Sequence, residues 1–194
     1  MPAIRSAWAE WAIAHGVPAQ AVLSQIHLTA SELIRKFTPT LDATTEASAI
    51  AARQATVETN VAAFEGSREL IALLPAANWA IVTSARRELA LRHLAMAGLP
   101  IPHVLVSAED TPRGKPDPAG YRLAAKRLQV LPSGCLAIED SPAGLRAAFA
   151  AGMATIGITS TYDAKELRHA EKVIRSLREL KVKPDATGLL MVTT

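Results

Sequence analysis

Cys135-Leu136-Ala137-Ile138-Glu139-Asp140-Ser141-Pro142-Ala143-Gly144-Leu145-Arg146-Ala147-Ala148-Phe149 is the stretch that decides the fold. A short apolar run passes without a spacer into two carboxylates, and a helix then opens at once. Ser141 suits the cap and Pro142 the first turn, and the residues that follow are good helix formers. A strand over 135–138 and a helix over 142–151 are therefore predicted. The same grammar extends both ways. Upstream, helix 67–74 leads to strand 79–83 (WAIVT), helix 86–97, strand 103–107 (HVLVS) and helix 117–129; downstream come strand 154–158 (ATIGI), a short helix near 163–169, a strand at 172–175 and a hairpin turn at Pro184-Asp185-Ala186-Thr187-Gly188. Strands that are apolar throughout, without alternation, are buried on both faces. This alternation of elements predicts an α/β domain whose parallel sheet is covered by helices.

The first third of the chain reads differently. Ile4, Ala7, Trp8, Trp11 and Ala14 fall at helical spacing, and His15-Gly16-Val17-Pro18 ends that run. Residues 19–37 carry Val22, Leu23, Ile26, Leu33, Ile34 and Phe37; Pro39 breaks them, and a long Ala- and Thr-rich helix is expected over about 45–63. Residues 1–65 are thus expected to form a helical lobe, and residues 66–194 the α/β domain.

Bulk properties narrow the function classes. The 194 residues carry a formal charge of +3, spread from Arg5 to Lys183 with no run dense enough to track a nucleic-acid backbone, so no nucleic-acid partner is expected. Cys135 is the only cysteine, which excludes an intramolecular disulfide and a cysteine-based zinc cluster and fits a reducing, cytoplasmic setting. No stretch reaches the roughly 18 apolar residues of a membrane span, so neither a membrane partner nor secretion is expected.

In an open parallel sheet, ligands bind beyond the carboxyl ends of the strands. Strand 79–83 ends in Thr83-Ser84, which offers hydroxyls and backbone N–H groups to an anion, although Ser84 could equally cap the next helix. The loop after strand 103–107 carries Lys115 between Gly114 and Pro116, a stiffened ammonium suited to a phosphate oxygen. Glu139-Asp140 supply hard oxygen ligands suited to Mg²⁺, which typically takes one or two carboxylates and keeps several waters.

Val82-Thr83-Ser84, the GKPDPAGY of 114–121 and the AIEDSPAGLRAAFAAGM of 137–153 resemble, in order and spacing, the second, third and fourth motifs of the haloacid dehalogenase superfamily. The resemblance spans about residues 65–180 and is nearest to sugar- and glycerol-phosphate phosphatases. WAIVTS, AGLP at 97–100 and TSTYD at 159–163 support that narrower placement. It implies a Rossmannoid parallel sheet with a helical cap, residues 3–64 being the cap. Thr83 and Ser84 would contact the transferring phosphoryl group, Lys115 would bridge phosphate and nucleophile, and Glu139 and Asp140 would hold Mg²⁺. The acid pair sets the chain apart from true haloacid dehalogenases, which need no metal. In the cap, His27, Thr29 and Lys36 are the candidate contacts to a small phosphorylated metabolite, with Arg35 nearby; many relatives have glycine after this histidine, whereas Leu28 stands here. A monomer or a homodimer would serve equally.

The family's first motif, an apolar strand ending in Asp-x-Asp, is not found: none of Asp42, Asp110, Asp117, Asp140, Asp163 and Asp185 has a second aspartate two residues on. In the family that strand is central, between those matching 79–83 and 135–138. The leading expectation is an ordinary phosphatase whose first strand and nucleophile precede Met1, the chain as it stands being inactive. The competing readings are a non-catalytic relative that binds phosphorylated metabolites or a protein partner, with its sheet gap closed by neighbouring strands or a second chain, and a phosphosugar mutase.

Overall fold

A computed structural model describes residues 2–26, 28–57, 61–184 and 190–193. Helices α1 (Pro2–Ala14), α2 (Ala19–Leu23), α3 (Ala30–Phe37) and α4 (Ala43–Val57) pack around a core of their own, built on Trp8, Trp11, Val22, Leu33, Ile34 and Ile50. Trp8 and Trp11 meet edge to face at 5.4 Å, and the Trp11 indole N–H donates to Glu46 at 2.9 Å, so the one polar atom of that buried ring is satisfied. Of the helix predicted over 45–63, α4 accounts for Ala43–Val57, residues 58–60 lie outside the described residues, and Val61–Phe64 have no regular structure.

The rest follows the predicted alternation: α5 (Ser67–Leu73), β1 (Ala80–Val82), α6 (Arg87–Ala97), β2 (Val104–Val106), α7 (Ala119–Arg127), β3 (Leu136–Glu139), α8 (Pro142–Ala151), β4 (Ala154–Ile158) and β5 (Lys172–Ile174). Beyond these, β6 (Lys181–Pro184) and β7 (Leu190–Thr193) pair antiparallel; the expected turn between them lies outside the described residues. The helix expected near 163–169 is a series of turns instead. Its physical reason is composition: only Leu167 and the small Ala170 lie against Gly157 of β4, while Lys165, Glu166, Arg168 and His169 are exposed, too little apolar surface for a helical stripe.

The parallel strands form two hydrogen-bonded groups, β1 with β2 and β3-β4-β5. Thr83 N–H donates to Val106 O at 2.9 Å, and Ala154 N–H donates to Cys135 O at 3.1 Å. Because strand groups alternate in direction, the backbone of Ala80 and Val82 turns away from β2, and that of Leu136 and Ile138 turns away from β4. These four residues are half-buried, whereas β2 is buried throughout. The strands flanking the split are therefore more open than one further out, the reverse of an ordinary sheet centre. Val82 O on this edge accepts the Lys115 ammonium at 3.2 Å, and partial exposure lowers the cost of any edge group without a protein partner.

Candidate active site

The rim formed by the ends of β1 and β3 is where the predicted residues meet. Lys115, only 15 % exposed, sends its ammonium across the split, donating to Val82 O at 3.2 Å and pairing closely with Glu139. Glu139, 6 % exposed, also accepts the Tyr121 hydroxyl, and its second oxygen accepts the Ser141 hydroxyl at 3.2 Å. The ammonium thus neutralises the buried carboxylate and two hydroxyls donate to it, as burial of a charge demands. The Lys115 ammonium lies 5.5 Å from the centre of the Tyr121 ring. Burial, followed by the adjacent Glu139 charge, pushes the Tyr121 phenol well above its ordinary value, so it remains a donor. Gly144 is required here, since a Cβ would sit 2.0 Å from a Glu139 oxygen.

Asp140 faces the other way. It accepts the Thr161 hydroxyl and lies on the wall of a cavity of about 530 Å³ between the helical lobe and the sheet rim. Thr83, Ser84 and Lys115 line the same cavity. The lobe contributes Trp8, Ile26, Leu28 and Ile50 as an apolar wall, with Thr29, Ser31 and Arg35 as polar points. Four of the five rim residues read from the sequence therefore converge, and Glu139 stands behind Lys115.

Ser84 is not the cap of α6. That place is held by Arg86, whose side chain makes no capping bond, and the Glu109 carboxylate accepts the Arg87 N–H at 3.0 Å instead. Thr83 Oγ1 accepts the Ala85 N–H at 3.1 Å, which shapes the turn. The anion that two arginines at a helix start call for comes from within the protein: Arg86 pairs with Glu109 at 3.2 Å and Arg87 with Asp110 at 2.8 Å, while Arg127 holds the other Asp110 oxygen at 2.7 Å. Burial alone would raise Asp110, but the Ser107 N–H and the Arg127 guanidinium outweigh it and hold the carboxyl well below the usual range.

In the lobe the sequence candidates separate. Thr29 lines the cavity, but its hydroxyl caps α3, accepting the Glu32 N–H at 3.3 Å and donating to Glu32 Oε2 at 2.7 Å. Lys36 is exposed, donates to Gln25 at 2.5 Å and does not line the cavity. His27 lies outside the described residues. Sequence reasoning left Tyr121, Ser31 and Glu32 aside. Tyr121 could have been singled out from its place in the Lys115 motif, whereas nothing in the sequence marks Ser31.

The residues present fit Mg²⁺ in one respect: Asp140 is a hard oxygen donor on the cavity wall. Glu139 is committed to Lys115 and Tyr121. Among the described residues no group of three or more His, Cys, Asp or Glu side chains converges, so a cation here would draw most of its ligands from water and phosphate oxygens, the habit of Mg²⁺. No described helix is long and apolar enough to cross a membrane.

Known proteins show the same architecture. The family model for haloacid dehalogenase-like hydrolases matches residues 2–152. Hexitol phosphatase A of Escherichia coli (strain K12) is 33 % identical over 198 residues, covering 99 % of this chain and 92 % of its own length. 2-Deoxyglucose-6-phosphate phosphatase 2 of Saccharomyces cerevisiae is 30 % identical over 215 residues, covering 97 % of this chain and 87 % of its own. The crystal structure of a hydrolase from Pseudomonas syringae superposes with a TM-score of 0.80 at 25 % identity, over 90 % of this chain and 87 % of that one. With a family match over most of its length and relatives of this identity and coverage, the chain belongs to the haloacid dehalogenase-like hydrolases.

Proposed function

We propose that the protein is a Mg²⁺-dependent phosphatase of a small sugar or polyol phosphate, working through an aspartyl-phosphate. The observation that carries this is the convergence of Thr83, Ser84, Lys115 and Asp140 on one cavity beneath a helical cap. In this reading Thr83 and Ser84 donate to the non-bridging phosphate oxygens, and Lys115, fixed by Glu139 and Val82 O, neutralises the charge that develops on them. Mg²⁺ held by Asp140 would supply further charge neutralisation of the phosphoryl group. Trp8, Ile26, Leu28 and Ile50 exclude water from the carbon skeleton of the ester, and Ser31 and Arg35 offer hydrogen bonds to its hydroxyls. The names of the two phosphatase relatives, a hexitol phosphatase and a 2-deoxyglucose-6-phosphate phosphatase, support a six-carbon phosphate as the substrate class.

The nucleophile belongs to a strand seated between β1 and β3. The split there, with the half-buried edges of Ala80, Val82, Leu136 and Ile138 turned toward it and the Lys115 ammonium spanning its rim, supports this placement. A strand in that slot would end beside Lys115, and a terminal aspartate would lie where the ammonium keeps it ionised. The test is to fuse an apolar strand ending in Asp-x-Asp ahead of α1 and measure phosphate release from a panel of hexitol and hexose phosphates with Mg²⁺. Turnover that needs the added first aspartate and Lys115 is expected. Turnover equal without either residue would refute the reading.

A further inference from the structure

We infer that Glu32 is a positioning residue that couples the seating of the helical lobe to the loop carrying Lys115. One carboxylate serves both parts of the protein. Within the lobe Glu32 closes the capping box of α3, accepting the Thr29 N–H at 2.9 Å and the Thr29 hydroxyl at 2.7 Å. Across the interface both its oxygens accept the Gly114 N–H, at 3.0 and 3.1 Å, although the two residues lie 82 positions apart. A capping box needs only the first set of bonds. The second ties the start of a lobe helix to the residue before Lys115.

The fit at this point is close. A Cβ at Gly114 would lie 2.8 Å from Glu32 Oε2 and from Thr29 Cγ2, and 3.0 Å from the Thr29 nitrogen, so only glycine lets the loop backbone reach the helix start. Lys115 follows directly, and its ammonium must cross from Val82 O to Glu139. Lifting the lobe would withdraw the acceptor from the Gly114 N–H and free the loop at that end, loosening the aim of Lys115. Arg86, which donates to Ser48 of α4 at 2.7 Å, makes a second contact between lobe and rim, but on an exposed side chain with Glu109 as an alternative partner. The Gly114 N–H, by contrast, is held by both oxygens of the one carboxylate.

This inference rests on Lys115 serving the phosphate site, and the test separates the two. Amide exchange is followed by NMR at Gly114, Lys115 and Asp117 and in α3, with inorganic phosphate binding measured alongside, in the wild type, Glu32→Gln and Gly114→Ala. Glu32→Gln removes the charge and turns an NH₂ toward donors, and Gly114→Ala sets a methyl group against Thr29 and Glu32, forcing loop and helix start apart. Both are expected to raise exchange at the loop amides about tenfold or more, the loss of one charge-assisted bond, and to weaken phosphate binding. A purely structural Glu32 would give faster exchange in α3 of Glu32→Gln with its loop amides and phosphate affinity unchanged, and that result overturns the inference. Loop exchange that responds as expected in a protein with no affinity for phosphate supports the coupling and defeats the phosphatase reading instead.

Discussion

Replacing Lys115 by methionine keeps most of the side chain's apolar length and removes the ammonium paired with Glu139. Glu139 is 6 % exposed and would retain only the Tyr121 and Ser141 hydroxyls. Breaking a buried pair from one side costs about 3–5 kcal/mol; the half-open edges beside it admit water, which places Lys115→Met near the lower limit, about 3 kcal/mol. Glu139→Gln is milder, about 1–2 kcal/mol, because the ammonium keeps Val82 O at 3.2 Å and some contact with solvent. The double variant buries no unpaired charge. Its loss should fall short of the sum of the singles by about 2 kcal/mol, a coupling expected of groups in direct contact. Urea unfolding followed by far-UV circular dichroism, fitted with a common slope, resolves such differences against a total stability of roughly 5–15 kcal/mol. Losses that add to within about 0.5 kcal/mol would show that the two residues are not a pair, and the description of the rim would fail with them.

Gly144→Ala places a methyl group where a Glu139 oxygen now lies, so it should cost about 1–3 kcal/mol and detach the carboxylate from Lys115; thermal unfolding and the Lys115→Met background, in which most of the penalty should vanish, check both parts. Asp110→Asn removes the acceptor shared by Arg87 and Arg127 and should cost about 1–2 kcal/mol at neutral pH, since both arginines are partly exposed. Because the folded state holds Asp110 below its unfolded value of about 4, its stabilisation is complete above that pH and fades as the pH falls below it; the gap between wild type and variant, measured by denaturation from pH 6 downward, should close only in acid.

Most of the α/β order could be read from the sequence because each parallel strand is a short, largely apolar run, and β1 and β3 lead into polar residues, Thr83-Ser84 and Glu139-Asp140, that mark where they end. Where a segment offered a single large apolar residue, as at Leu167, charged neighbours could imitate a helix that has little to bury. The pairing of Glu139 with Lys115 and Tyr121, rather than with the cavity, depends on side-chain direction at a strand end, which spacing does not determine. Thr29-x-x-Glu32 advertises a capping box, yet its second partner, Gly114, comes from the other end of the fold and leaves no local signal. Among the described strands β1 and β3 do not pair with each other, and the Lys115 ammonium, reaching from Val82 O to Glu139, joins their ends.

Calorimetric titration of a hexitol phosphate into the protein with Mg²⁺ present asks whether the four rim residues form one phosphate site, with no turnover needed. Binding is predicted to weaken at least about tenfold in each of Ser84→Ala and Lys115→Ala, the cost of one hydrogen bond or one charge contact to the phosphate, and to leave Lys36→Ala unaffected. Affinity that is the same in wild type, Ser84→Ala and Lys115→Ala would place the phosphate elsewhere and contradict the assignment.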